Sequence, residues 1–269
     1  MNYEKLTDAV ALAATTTGSW LKELTGKIHE DLITTKGRMD FVTEIDKESE
    51  KRLIHDLSRI LPEAGFIAEE GTETRRGKDF NWIIDPIDGT TNFIHGVFPF
   101  SISIGLMEAN EMVSGVIYDP LHGECFCASK GSQSMLNGKP IRVSQRTHLG
   151  EALLATGFPY NDFSLLSPYM DSMLELMACT HGIRRLGSAA MDLAFVACGR
   201  YDAFWEYHLK PWDVAAGTLI IKQAGGMVSD FYGGEDYLFG ETFAATNGII
   251  QSEFLAILNK HFGKGIESR

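Results

Sequence analysis

Apolar side chains recur at helical spacing at the start of the chain. Leu6, Ala9, Val10, Ala13, Trp20, Leu21 and Leu24 form one stripe and predict an amphipathic helix near 3–27. A polar loop with Lys36, Gly37 and Arg38 leads to a second helix over 46–61, with Leu53, Ile54, Leu57 and Ile60 on one face and Pro62 as its stop. The period then changes. Residues 65–69 and 81–85 are short apolar runs that end in carboxylates. Across 100–106 Phe100, Ile102, Ile104 and Leu106 alternate with Ser101, Ser103 and Gly105, which predicts a strand with two different faces. Strands over 112–118 and 124–128 and a tight turn at Asn137-Gly138 extend this into an antiparallel sheet.

From about residue 150 strands alternate with helices. Strands are expected at 153–156, 183–186, 203–205, 227–229 and 243–246, and helices near 167–178, 188–198, 213–224 and 249–262. Ser188 and Asp213 stand where N-caps belong, and Gly225-Gly226 where a helix stops. There are no repeats and no linker. The expectation is a mixed α/β chain of two halves, 1–147 carrying the antiparallel sheet and 148–269 carrying the α/β pattern, packed as one unit.

Composition narrows the function. With 44% hydrophobic and 22% charged residues, 269 residues build a sizeable core without disulfides or a structural metal. Twenty-four basic against 36 acidic residues give a net charge of −12, which argues against a nucleic-acid footprint. The start, MNYEKLTDAVALAA, is charged and amphipathic rather than a secretory signal, and no apolar run reaches the roughly 20 residues of a membrane span, so a cytoplasmic protein with no membrane partner is expected. Cys125, Cys127, Cys179 and Cys198 complete no metal site and read as reduced thiols. The eight histidines show no paired metal spacing.

The chemistry sits in carboxylates. In Trp82-Ile83-Ile84-Asp85-Pro86-Ile87-Asp88-Gly89-Thr90-Thr91-Asn92-Phe93 a buried strand delivers Asp85 to a turn stiffened by Pro86, and Asp88 follows three residues later. Two carboxylates with the Ile87 carbonyl between them offer hard oxygen ligands for cations such as Mg²⁺, and the Gly89 and Thr90 amides offer a phosphate grip. The same residues also make an ordinary acidic turn. Glu69-Glu70 at a strand end, Asp213 in Pro211-Trp212-Asp213-Val214-Ala215-Ala216-Gly217, and Asp46 after Asp40-Phe41-Val42-Thr43 are three further acidic sources; alone, they also read as a solvated pair and two helix caps.

Together, in this order, these segments resemble the inositol monophosphatase family over nearly the whole chain. Asp40 to Asp46 is similar to its DxVTxxD element, 66–71 to its acidic strand end, 82–93 to its metal-site motif and 212–217 to its WDxAAG element. The resemblance implies a five-layered αβαβα sandwich, usually dimeric, and two or three Mg²⁺ ions held by Glu69, Asp85, the Ile87 carbonyl, Asp88 and Asp213, with Glu70 competing with Glu69 on chemistry alone. It implies in-line attack by water, oriented by Glu69 and Thr90 with Asp46 supporting Thr90, on a small phosphorylated polyol. Asp88, Gly89, Thr90, Gly187, Ser188, Ala189, Glu206 and Asp213 would contact that substrate, and Lys36 would close over it. Lithium sensitivity is a further family expectation.

Other phosphatase chemistries fit less well. No Asp-x-Asp occurs for an aspartyl-phosphate enzyme. Cys179 and Arg185 have the Cys-x5-Arg spacing, but a helix is expected before the Cys and a strand around the Arg, the wrong order for an anion cradle. Within the superfamily, Thr90-Thr91-Asn92-Phe93 resembles the inositol branch more than the nucleotide-bisphosphate branch, which tends to have Lys-Glu-Phe after its first Thr. Fructose-1,6-bisphosphate, NADP⁺ and 3′-phosphoadenosine 5′-phosphate remain as alternative substrates, and a non-catalytic partner protein as a reading of another class.

Overall fold

The computed structural model describes residues 1–27, 33–35, 41–73 and 75–263. The first half builds a seven-stranded sheet in chain order: β3 (Gly65–Ala68), β4 (Phe80–Asp88), β5 (Ser101–Glu108), β6 (Glu111–Asp119), β7 (Glu124–Ser129), β8 (Met135–Leu136) and β9 (Lys139–Pro140). Before it come helix α1 (Tyr3–Leu24), a short antiparallel pair β1 (Ile33–Thr35) and β2 (Phe41–Thr43), and helix α2 (Glu44–Ile60). The first helix stops three residues earlier than its stripe suggests, since Gly26 takes a left-handed φ of 71°. The predicted turn joins β8 to β9, with Asn137 and Gly138 both at positive φ.

The second half forms a five-stranded mixed sheet in the order β11-β10-β12-β14-β13. Its strands are β10 (Leu153–Thr156), β11 (Gly182–Arg184), β12 (Ala203–Tyr207), β13 (Met227–Ser229) and β14 (Thr242–Thr246). β10 runs parallel to both its neighbours, while β14 runs antiparallel to β12 and β13. The helices are α3 (Thr90–His95), α4 (Leu166–Cys179), α5 (Ala189–Ala197), α6 (Pro211–Gln223) and α7 (Gln251–Phe262).

Three cores join five layers, the middle core filling both faces of the central helices. Leu21, Leu53, Trp82, Ile84, Ile102 and Ile104 join α1 and α2 to one face of the large sheet. Ile83, Ile117, Met191, Phe204 and Ile220 fill the space where α5 and α6 lie between the two sheets. Tyr169, Trp205, Phe254 and Leu258 join the small sheet to α4 and α7. The result is the expected αβαβα sandwich.

The alternation along β5 sets this order. Its large apolar residues enter the outer core, while Ser101, Ser103 and Gly105 point at the middle helices and are equally buried. A Cβ on Gly105 would lie 3.1 Å from the Ala215 Cβ, and one on Gly115 of β6 would lie 2.7 Å from the Ala216 carbonyl oxygen. A Cβ on Gly217 would lie 2.5 Å from Leu193 of α5. The small residues of the Ala215-Ala216-Gly217 run therefore let α6 lie almost backbone to backbone on the sheet and tight against α5.

Candidate active site

Residues three apart on a strand face opposite ways, so Asp85 and Asp88 would diverge on a regular β4. They do not, because β4 carries an extra residue. Asp85 pairs with Ser103 and Asp88 with Ser101, three steps on one strand against two on the other. This bulge puts both carboxylates on the face of the middle helices. It replaces the expected turn at Pro86: the strand continues to Asp88, with the missing Pro N–H absorbed where the ladder is already broken. The Ile87 amide donates to Asp85 Oδ1 at 3.0 Å, and the Ile87 side chain returns to the outer core.

The serines of β5 then fix the helices to these carboxylates. Ser103 Oγ donates to the Trp212 carbonyl at 3.1 Å, which seats the start of α6 beside Asp85. Asp213 is the third residue of α6 rather than its cap. Lys210 occupies the cap position, Pro211 opens the helix, and the Lys210 amide donates to Asp213 Oδ2 at 2.6 Å. Ser188 caps α5 as expected, and its hydroxyl also donates to Asp88 Oδ2 at 2.5 Å; the Ala190 amide reaches the same oxygen at 2.8 Å. Asp88 is thus anchored on the start of α5 through one oxygen.

Asp85, Asp88 and Asp213 each present an oxygen within 4.8 Å of the others. Glu69 follows β3, and its amide donates to the Ile84 carbonyl at 3.2 Å, so it stands next to Asp85. The loop after it is held by buried Glu50 of α2, which accepts from the Glu70 amide at 2.7 Å and from the Thr72 amide and hydroxyl at 2.7 and 2.6 Å. Of the two glutamates only Glu69 lines the cavity. Gly89 opens α3 with φ 89°, and a Cβ there would stand 3.0 Å from the Gly187 and Pro99 carbonyls. Thr90 Oγ1 lies 3.0 Å from the Ile87 carbonyl and 3.2 Å from Asp46 Oδ1. Asp46 is buried in the first turn of α2, two residues past the helix start, and not at a cap.

Most of these groups line one cavity of about 480 Å³, which Asp46 and Glu50 do not line. Glu69, Asp85, Ile87, Asp88, Gly89, Thr90 and Asp213 line one part; Gly187, Ser188, Ala189 and Glu206 line it as well. Glu206 is buried on β12 inside the strand rather than at its end, and a Cβ on Gly157 would collide with its carboxylate. Asn92 Nδ2 ties the two sides together, donating to the Pro99 and Leu186 carbonyls at 2.6 and 2.8 Å. Lys36 and Asp40 lie outside the described residues.

The electrostatics are those of a site short of positive charge. Burial, then the Glu69, Asp88 and Asp213 charges, push the Asp85 carboxyl well above the usual carboxylate range. Burial pushes Asp88 up to about 6, against the lowering effect of Ser188 and the Ala190 and Ala189 amides. Burial and the Asp213 charge raise Glu206, opposed by Arg185. A divalent cation relieves this repulsion. The donor set fits a hard one: carboxylate and carbonyl oxygens only, converging within one pocket.

Several lining residues carried no signal in the sequence. Arg185 was visible only as half of the Cys-x5-Arg coincidence. It follows β11 and lines the cavity, while Cys179 ends α4 on the surface. Arg185 Nη2 donates to the Tyr160 hydroxyl at 2.6 Å, and its guanidinium lies 5.3 Å from the Phe158 ring centre. Asp192 and Glu50 belong to none of the motifs, yet both are buried, and Asp192 lines the cavity.

The chain is similar to known proteins over nearly its whole length. The inositol monophosphatase family model matches residues 2–266. The chain is 42% identical over 234 residues to Nus factor SuhB of Pseudomonas aeruginosa, covering 85% of this chain and 86% of that one. It is 38% identical over 256 residues to the inositol-1-monophosphatase of Mesorhizobium japonicum, covering 95% and 96%. The crystal structure of the extragenic suppressor protein suhB from Bartonella henselae superposes with a TM-score of 0.90 at 38% identity, over 94% of this chain and 98% of that one. A match that runs from the first helix to the last, on a fold with these layers and this carboxylate cluster, has one reading: the chain belongs to the inositol monophosphatase family.

Proposed function

We propose that the protein is a Mg²⁺-dependent phosphomonoesterase that hydrolyses inositol monophosphate to inositol and phosphate. The observation that carries this reading is the convergence of Asp85, Asp88 and Asp213, from a strand and a helix far apart in sequence, with Glu69 in the same cavity. Glu69, Asp85, the Ile87 carbonyl, Asp88 and Asp213 would hold two or three Mg²⁺ ions, which when bound supply Lewis-acid polarisation of water and neutralise the phosphate and leaving oxygen. The chain's own residues do the rest. The Thr90 hydroxyl proton is directed at the Ile87 carbonyl and Asp46, so its free lone pairs accept from the attacking water and orient it. Glu69, which lines the same cavity, would be the second group positioning that water and taking its proton. Gly89 and Thr90, at the start of α3, face the phosphate, and Gly187 to Ala189 and Glu206 face the polyol, where a carboxylate accepts hydroxyl protons. Catalysis by such a site is positioning and charge stabilisation.

The homodimer that the family implies belongs to this reading. Its support is the outward face of α4, where Met170, Leu174 and Met177 are exposed at helical spacing. A second reading comes from the Pseudomonas relative's name, Nus factor: a partner protein in a larger assembly. The complete carboxylate set favours the enzyme. One preparation tests both. Phosphate release is measured from inositol 1-phosphate, fructose-1,6-bisphosphate, NADP⁺ and 3′-phosphoadenosine 5′-phosphate with Mg²⁺ and with chelator, and light scattering on the same sample reads the mass. Mg²⁺-dependent release with inositol phosphate preferred, from a particle of twice the chain mass, is expected. Preference for a nucleotide or sugar bisphosphate moves the substrate assignment, and no release from any ester, with RNA retained at physiological salt, favours the partner protein.

A further inference from the structure

Helix α5 is apolar except for one residue. Asp192 follows Met191 and precedes Leu193 and Ala194, all fully buried, and is itself 1% exposed. Its Oδ1 has no hydrogen-bond partner. Leaving a buried acceptor unpaired costs about 1–3 kcal/mol, so an acid retained in such a place calls for a physical reason. The surroundings point to one. Asp192 lines the cavity, as do Glu206 on β12 and Arg185, and the buried Arg185 Nε also has no partner. Burial, then the Glu206 and Asp88 charges, push the Asp192 carboxyl well above the usual range, with Arg185 pulling it back. A carboxyl accepts hydroxyl protons, and guanidinium N–H groups donate to hydroxyl oxygens; a polyol offers both on neighbouring carbons. A solely structural acid gains nothing from this position, since an apolar side chain would be buried there without an orphan oxygen.

We propose that Asp192 is a specificity-determining residue of this cavity, its carboxyl standing with Arg185 beside Glu206 to take hydroxyl groups of the alcohol that carries the phosphate. The proposal rests on the phosphomonoesterase reading and deepens it. Asp192 is distinct from the carboxylates on the metal side. It acts on the alcohol and not on the phosphate.

The test compares kcat/KM on the hydroxyl-bearing ester that the wild-type enzyme turns over best with kcat/KM on p-nitrophenyl phosphate, whose alcohol has no further hydroxyl. For D192A the ratio of the two is expected to fall about tenfold, mainly through KM of the hydroxyl-bearing ester, the size of one or two lost hydrogen bonds. D192N keeps an acceptor and a donor and is expected to hold the ratio within about threefold of wild type. D192L, which keeps the branching of the side chain without its oxygens, carries the same comparison where D192A fails to fold. An unchanged ratio in folded D192A or D192L, or an equal loss on both esters, overturns the proposal. Failure of the parent reading appears separately, in the wild-type enzyme, as no phosphate release from any ester.

Discussion

Asp88 shows how much a single side chain is asked to do. One oxygen is held by the Ser188 hydroxyl and the Ala190 amide, while the carboxylate also presents an oxygen within 4.8 Å of those of Asp85 and Asp213. Replacing it with asparagine puts an amide in place of a charge. If the amide oxygen keeps the Ser188 and Ala190 contacts, the amide nitrogen faces the cluster and presents a donor to a cation. For D88N the expected outcome is turnover lower by well over the ~10–100-fold that disturbing an outer-shell partner costs, with the thermal midpoint of the metal-free protein unchanged or higher, because a buried acid held well above its ordinary range has been neutralised. Near-wild-type turnover on inositol phosphate would remove Asp88 from the site. At this scale the sequence was legible where residue type and family order agree: Glu69 and Asp85 stand out as carboxylates at the ends of apolar runs, Asp88 three residues further on, and Asp213 where a helix begins. Asp192 and Glu50 were not legible, because helical spacing can put an acid on a buried face, as it puts Glu50 with Leu53 and Leu57, without showing what the carboxylate meets there.

Elements place these residues, and glycine sets how closely. Helix α6 carries Asp213 at its start and lies on β5 and β6 through Gly105 and Gly115. For G115A the new Cβ would lie 2.7 Å from the Ala216 oxygen, a backbone atom with no freedom to swing aside. Helix or strand must shift, at about 1–3 kcal/mol, or roughly 2–4 °C of thermal midpoint per kcal/mol in a chain of this size. Because the shift separates Asp213 from Asp85, G115A is also expected to need several-fold more Mg²⁺ for half-maximal activity. A drop in midpoint with no change in Mg²⁺ requirement would show that α6 moves along the sheet without opening the cluster. The strands and helices themselves were readable from period and caps. The bulge in β4 was not: Pro86 and two acids look like a turn, and only pairing with Ser101 and Ser103 reveals a strand that continues. The alternation of β5 was legible as two faces, while the use of the small polar face, docking two helices rather than meeting water, depends on what packs there.

At the scale of the molecule the cluster is a charge problem that the fold leaves for a cation to solve. Two sheets and three cores hold Asp85, Asp88 and Glu206 away from water, and none of them gains a salt bridge to a basic side chain among the described residues. The sign of the consequence follows from the raised values. Between the ordinary carboxylate pKa near ~4 and the folded value, about 6 for Asp88 and raised also for Asp85, the folded chain binds protons that the unfolded chain does not. This contribution is present in full below about 4 and is lost as the pH rises through the folded values. Metal-free protein is therefore expected to melt lower at pH 8 than at pH 6. Mg²⁺ binds the ionised carboxylates and competes with protons, so the rise in midpoint it causes is expected to be larger at pH 8 than at pH 6. Calorimetry at the two pH values, with chelator and with millimolar Mg²⁺, reads both effects. An equal Mg²⁺ shift at the two pH values would mean that the ion binds groups already ionised at pH 6. In that case Asp85 and Asp88 would not be held above the ordinary carboxylate range in the folded chain, and the metal-free protein would also lose its drop in midpoint between pH 6 and pH 8.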